Sequence, residues 1–81
     1  DADKAIQQDP DFAMAYNGRG VAYRWLGQNQ RAIQDFDKAI QLDPEYANAY
    51  NNRSIAYSWL SQYTKANADK AKACSLDSFW C

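Results

Sequence analysis

Apolar residues recur along the chain at helical spacing, and the same spacing appears twice. Ala47, Tyr50, Ser54 and Tyr57 fall at i, i+3, i+7 and i+10, which predicts an amphipathic helix over about 45–60. Ala13, Tyr16, Gly20 and Tyr23 occupy the same places in an earlier helix over about 11–26. Pro10 and Pro44 stand just before these helices, where proline is tolerated and a preceding helix must stop. Ala32, Ile33, Phe36, Ala39 and Ile40 form the stripe of a second kind of helix, over about 30–42. The turn Gly27-Gln28-Asn29 joins the two kinds, and its glycine suits the left-handed conformation at a helix C-terminus. Such short connections make the joined helices antiparallel neighbours. Residues 1–8 read as the closing half of one more second helix, and a shorter helical unit is expected from about Tyr63 to Leu76.

The duplication is explicit. Residues 1–34 and 35–68 share 19 identities in 34 positions, with Phe12 against Tyr46 and Val21 against Ile55 as conservative pairs. The expected organisation is a single domain over 1–81. It comprises a closing helix of a preceding unit (1–10), a first full unit (11–44), a second with a capping helix (45–78) and an aromatic tail (79–81). Gly20, Ala32 and Ala39 let helices approach closely while Tyr16, Tyr23 and Phe36 fill the gaps.

Period and residue pattern together resemble the tetratricopeptide repeat. In that family a large residue, a small one, a tyrosine, an alanine, an aromatic, an alanine and a proline stand at fixed offsets. Tyr16, Gly20, Tyr23, Ala32, Phe36, Ala39 and Pro44 match them in the first unit. In the second unit the places hold Tyr50, Ser54, Tyr57, Ala66, Lys70, Ala73 and Ser78. The resemblance implies an all-α solenoid of antiparallel helix pairs, a right-handed superhelix whose first helices line the concave face. Mapped residue by residue, that face carries Met14, Asn17, Gly18, Val21, Arg24 and Trp25, then Asn48, Asn51, Asn52, Ile55, Ser58 and Trp59.

On such a face asparagines can pair with the backbone of an extended peptide, since each offers a donor and an acceptor. The competing reading is that Asn17 and Asn51 bond neighbouring helices or meet water. Trp25 and Trp59 are of the type enriched at binding hot spots, or else pack on the turn beside Leu26 and Leu60. Some family members grip a terminal carboxylate with lysine, asparagine and arginine; here only Asn52 falls on such a place, which argues against that specialisation. Arg19 and Arg53 recur where the family is usually apolar, and are expected to pair with aspartates between helices.

Two ends depart from the pattern. Asn67, Lys70 and Cys74 replace Ile33, Phe36 and Ile40, so residues 63–77 are expected to present a polar outer face as a cap. At the other end Ala2, Ala5 and Ile6 need cover, from an earlier unit of a longer array or from another molecule. Phe79 and Trp80 are expected to fold back on the last helix. The alternative is that they dock on a second chain, making a homo-oligomer or filament. Cys74 is taken as a buried thiol and Cys81 as incidental. The alternative is a disulfide, within the chain or between chains, which would imply an oxidising, extracellular or periplasmic setting rather than the cytoplasm.

Composition then removes whole classes of function. No histidine is present, so the usual general base and the commonest metal ligand are missing. There is no nucleophile with a base and no phosphate-cradling glycine loop; the chain reads as a non-enzyme without a cofactor or metal. Nine basic and ten acidic residues, interspersed, give no footprint for nucleic acid. No apolar run approaches the roughly 18 residues of a membrane span, and no signal peptide opens the chain. The expected partner is a protein or peptide. The carboxylate pairs Asp1/Asp3 and Asp35/Asp37 are expected to be solvated, with Asp35 beside Lys38. Asn52-Arg53-Ser54 spells a glycosylation sequon, but on a predicted helix it reads as coincidence.

Overall fold

The computed structural model describes residues 2–81, and over them the regular structure is all helix, with no strand. Its helices are α1 (Ala2–Gln8), α2 (Ala13–Trp25), α3 (Asn29–Leu42), α4 (Ala47–Trp59) and α5 (Tyr63–Leu76), followed by a 3₁₀ turn over Ser78–Trp80. Consecutive helices pack as antiparallel neighbours, and α2 also packs directly on α4 across the unit boundary. The expected solenoid of helix pairs is therefore the observed fold. The last helix, α5, has the bounds expected of it, and at 14 residues it equals α3.

Two local devices repeat and set the geometry of the pairs. Between the first and second helix of each unit lies a turn with a left-handed residue, Gly27 at φ 77° and Ser61 at φ 60°. The Gln28 N–H donates to the Tyr23 carbonyl at 2.9 Å and the Gly27 N–H to Arg24 at 3.0 Å, with Gln62, Ser61, Tyr57 and Ser58 repeating both bonds. These are the paired bonds that satisfy the last carbonyls of a helix ending in a left-handed residue. Between units, an aspartate makes the turn. Asp9, Asp43 and Asp77 each accept, on Oδ1, the backbone N–H two residues on, at 3.1, 3.1 and 3.0 Å. A side chain bonded in this way fixes a turn without needing neighbours.

The core is centred on Phe36, fully buried between Ala32 of its own helix and Ala56 of α4, with Val21, Tyr23 and Ile33 around it. Its partner is Gly20: a Cβ there would come within 2.5 Å of Phe36 Cε1. In the second unit Ser54 replaces this glycine and Lys70 replaces the phenylalanine. Ser54 is buried, whereas Lys70 is exposed, so the lost ring makes room for the added side chain. The two departures compensate each other.

Each arginine predicted to pair with aspartates does so, and the pairing staples three helices. Arg19 on α2 donates from Nε and Nη2 to both oxygens of Asp35 on α3 at 2.8 Å, and from Nη1 to Asp3 on α1 at 2.9 Å. Arg53 on α4 does the same with Asp69 on α5 at 2.7 Å and with Asp37 on α3 at 2.8 Å. Its tyrosine neighbours Tyr50 and Tyr57 lie 5.6 and 5.7 Å from the guanidinium, a favourable cation–ring arrangement. Hydrogen bonds to Asp35 and Asp3 push the Arg19 guanidinium above its ordinary range; those to Asp69, then Asp37, do so for Arg53 against an opposing effect of burial.

This corrects the expectation for the carboxylates. Asp35 is not solvated beside Lys38; it is buried and held in two-pronged fashion by Arg19. Asp37, two residues on, faces the following unit, and Asp1 lies outside the described residues.

The cysteines are also corrected. Cys74 is half-buried and disulfide-bonded to Cys81, with Cα atoms 4.6 Å apart. The Asp77 turn reverses the chain after α5 and brings the two together. The tail is thus folded back, though unevenly: Trp80 is half-buried, whereas Phe79 is 78% exposed and meets Trp80 edge-on, ring centres 4.9 Å apart.

Candidate binding face

The first helices α2 and α4 lie side by side, so the residues mapped to the inner face can be placed one by one. Asn17 and Asn52 are buried, and their amides are used within the fold. Asn52 Nδ2 donates to Asn17 Oδ1 at 3.0 Å and to Asn48 Oδ1 at 2.8 Å, while Asn17 Nδ2 donates to the Tyr46 hydroxyl at 3.3 Å. The expectation that these two asparagines present free amides to a peptide is therefore corrected: they lock α2 to α4. Burial pushes the Tyr46 hydroxyl above its ordinary pKa, with the Asn17 bond opposing. Tyr46 was unremarkable in sequence, counted as a conservative match to Phe12; the added hydroxyl was the signal.

Of the remaining mapped residues, Arg24, Trp25, Asn51, Ile55, Ser58 and Trp59 line two surface features. Met14 and Gly18 are exposed and line neither, and Val21 packs against the core. Asn51, Ile55, Ser58 and Trp59 line a groove of about 660 Å³ between α4 and α5, together with Ser54, Tyr63, Ala66, Asn67 and Lys70. One unit earlier, the matching Val21, Ile33 and Phe36 pack with Ala56 of α4, so this groove is the place where a helix lies inside the molecule. Asn67 and Lys70 are exposed, and they give the groove a polar wall.

Arg24, Trp25 and Trp59 line a second, smaller cleft of about 270 Å³ at the turn end of α2 and α4, with Gly27 and Asn29. Trp25 is 77% and Trp59 72% exposed, so neither is packed away against its turn. The Arg24 guanidinium lies 5.2 Å from the Trp25 ring. Asn29 was read only as part of the turn.

At the N-terminal end, Ala2, Ala5 and Ile6 are half-buried. They are partly covered by α2, on which α1 packs. Because Cys81 is bonded within its own chain, it does not provide a covalent link to another.

Stacked helical hairpins of this length, joined by these two alternating turns, define a helical-repeat protein. Two models of the tetratricopeptide repeat match residues 13–46 and 36–74, and the chain belongs to that family. No curated protein is a significant match. Among solved structures, the chain is 26% identical to the first tetratricopeptide domain of Spaghetti (RPAP3) bound to the HSP90 peptide SRMEEVD, covering 95% of this chain and 61% of that one, with a TM-score of 0.93. It is likewise 26% identical to two crystal structures of MamA, with TM-scores of 0.88 and 0.85. The matches cover 96% and 95% of this chain and 46% and 42% of those. The chain thus spans about half the length of the structures it resembles.

Proposed function

We propose that the protein is a non-enzymatic interaction scaffold that binds a peptide or protein segment on the face formed by α2 and α4. The observation that carries this reading is the pair of exposed indoles, Trp25 and Trp59, at equivalent positions of adjacent units and lining one cleft. Large aromatic side chains left uncovered beside a groove are costly unless a partner covers them. The similarity to a tetratricopeptide domain whose structure holds a peptide supports the same reading. The corrected Asn17 and Asn52 leave recognition to Arg24, Asn51, Ile55, Ser58 and the two tryptophans, with Asn48 at the margin.

The test is selection of a random peptide display library on the protein and on its Trp25→Ala/Trp59→Ala variant. Enrichment of shared motifs on the wild type, lost on the variant, supports the reading. Equal enrichment on both would remove the tryptophans from it.

A second reading, end-to-end self-association, is favoured by one observation: Phe79 is 78% exposed beside Trp80. Light scattering tests it, since a mass that stays monomeric at high concentration rules it out.

A further inference from the structure

Two residues that line the small cleft each carry a buried polar atom without a partner, Nε of Arg24 and Oδ1 of Asn29. Among the described residues no hydrogen bond or ion pair engages the Arg24 side chain, in contrast to Arg19 and Arg53, each of which carries two aspartates. A buried donor and a buried acceptor left unsatisfied are each costly, and a ligand that engages both recovers that cost. The rest of the lining is two indoles and the glycine turn.

We propose that this cleft is a subsite that reads the two backbone amides flanking a proline, in an extended, uncharged peptide segment that sets the proline ring between Trp25 and Trp59. The proposal rests on the reading of the α2–α4 face as a peptide-binding surface and names what that surface takes. With the two half-buried side chains turned toward the cleft, the peptide carbonyl before the proline accepts from Arg24 Nε–H, and the N–H of the residue after the proline donates to Asn29 Oδ1. A carboxylate fits worse despite the cationic arginine, because it would set an oxygen lone pair against Asn29 Oδ1. The proline ring is flat-sided, carries no N–H to bury unpaired, and holds its segment in the extended left-handed helix that aromatic grooves recognise. The subsite belongs to the junction between units alone. In the second unit Ser58 and Tyr63 replace Arg24 and Asn29, so the repeat itself does not encode it.

The test is an NMR titration of the ¹⁵N-labelled protein with the capped peptide acetyl-(Ala-Pro)₃-amide at millimolar concentration. The expected result is a shift of the Arg24 Nε–H and Trp25 indole N–H signals, with Trp59 following and Trp80 unmoved. Arg24→Met should weaken the probe about tenfold, the loss expected for one charged hydrogen bond, whereas Lys72→Ala, at an exposed site on α5 away from both grooves, should not change it. Circular dichroism melts confirm that both variants fold. Shifts confined to Ser58, Tyr63 and Lys70 would overturn the subsite while leaving peptide binding by the face intact. Silence with this probe while library-selected peptides bind would do the same. Tighter binding of acetyl-(Ala-Asp)₃-amide through Arg24 would overturn the amide reading, and failure of every peptide to bind would overturn the proposed function as well.

Discussion

Asp35 and Asp37 lie two residues apart on α3, carry the same charge and bond to equivalent arginines, yet their removal should have very different consequences. The Asp35 side chain is 8% exposed and takes two hydrogen bonds at 2.8 Å; Asp37 is 53% exposed and takes one, also at 2.8 Å. Breaking a fully buried ion pair costs about 3–5 kcal/mol, because the surviving charge is stranded. Arg19 is 28% exposed and keeps Asp3, which relieves part of that cost, so Asp35→Ala should destabilise by about 2–3 kcal/mol. Asp37→Ala removes an exposed contact and leaves Arg53 its two bonds to Asp69, so the cost should fall below about 1 kcal/mol. For a domain of this size the first change lowers Tm by about 10–20 °C and the second by a few degrees. Urea unfolding followed by far-ultraviolet circular dichroism gives both values, read as midpoints at constant slope. Equal losses for the two variants would refute the reasoning that burial, rather than charge, decides the strength of the staple.

Other outcomes follow from single positions. Gly20→Ala should cost about 1–3 kcal/mol by overpacking against Phe36; in a double-mutant cycle, Phe36→Leu should relieve much of that penalty, and simple additivity would contradict the contact. Ser61→Gly should stabilise by about 0.5–1 kcal/mol, since a left-handed serine is strained, and Gly27→Ala should destabilise; thermal melts of the pair check the opposite signs. Burial raises the hydroxyl pKa of both Tyr46 and Tyr57 above the ordinary 10.0. The folded state therefore holds these protons more tightly than the unfolded one. Stability is full below pH 10 and should fall as pH rises through the folded values. Tyr46→Phe, measured across that window, should flatten part of the fall.

The alternation of helices was legible because two copies of one pattern check each other. Tyr63–Leu76 is the helix the spacing predicts, although its apolar stripe is nearly gone. The arginine–aspartate pairing was legible for the same reason, since Arg19 and Arg53 recur with aspartates in register. Which of two neighbouring aspartates is buried was not, because spacing separates helix faces without saying what covers them. The asparagine lock escaped for a related reason. Asn17 aligns with Asn51, yet its bond is to Asn52, so the contact runs across the repeat rather than along it. The tail reversal did leave a trace in the sequence: Asp77 is the third aspartate in the series Asp9, Asp43, Asp77, and each makes the same turn. The cleft at Arg24 and Asn29 had no such signal, because its members differ between the units and meet only after α2, α3 and α4 are packed.

The central claim is that the face formed by α2 and α4 is where a partner binds. Amide hydrogen exchange with and without a library-selected peptide tests it most directly. Protection should concentrate at the C-terminal turns of α2 and α4 and at the 27–29 turn, with α1 and the 3₁₀ tail unchanged. Protection of α1 or of Phe79 and Trp80, with none around Trp25 and Trp59, would contradict it.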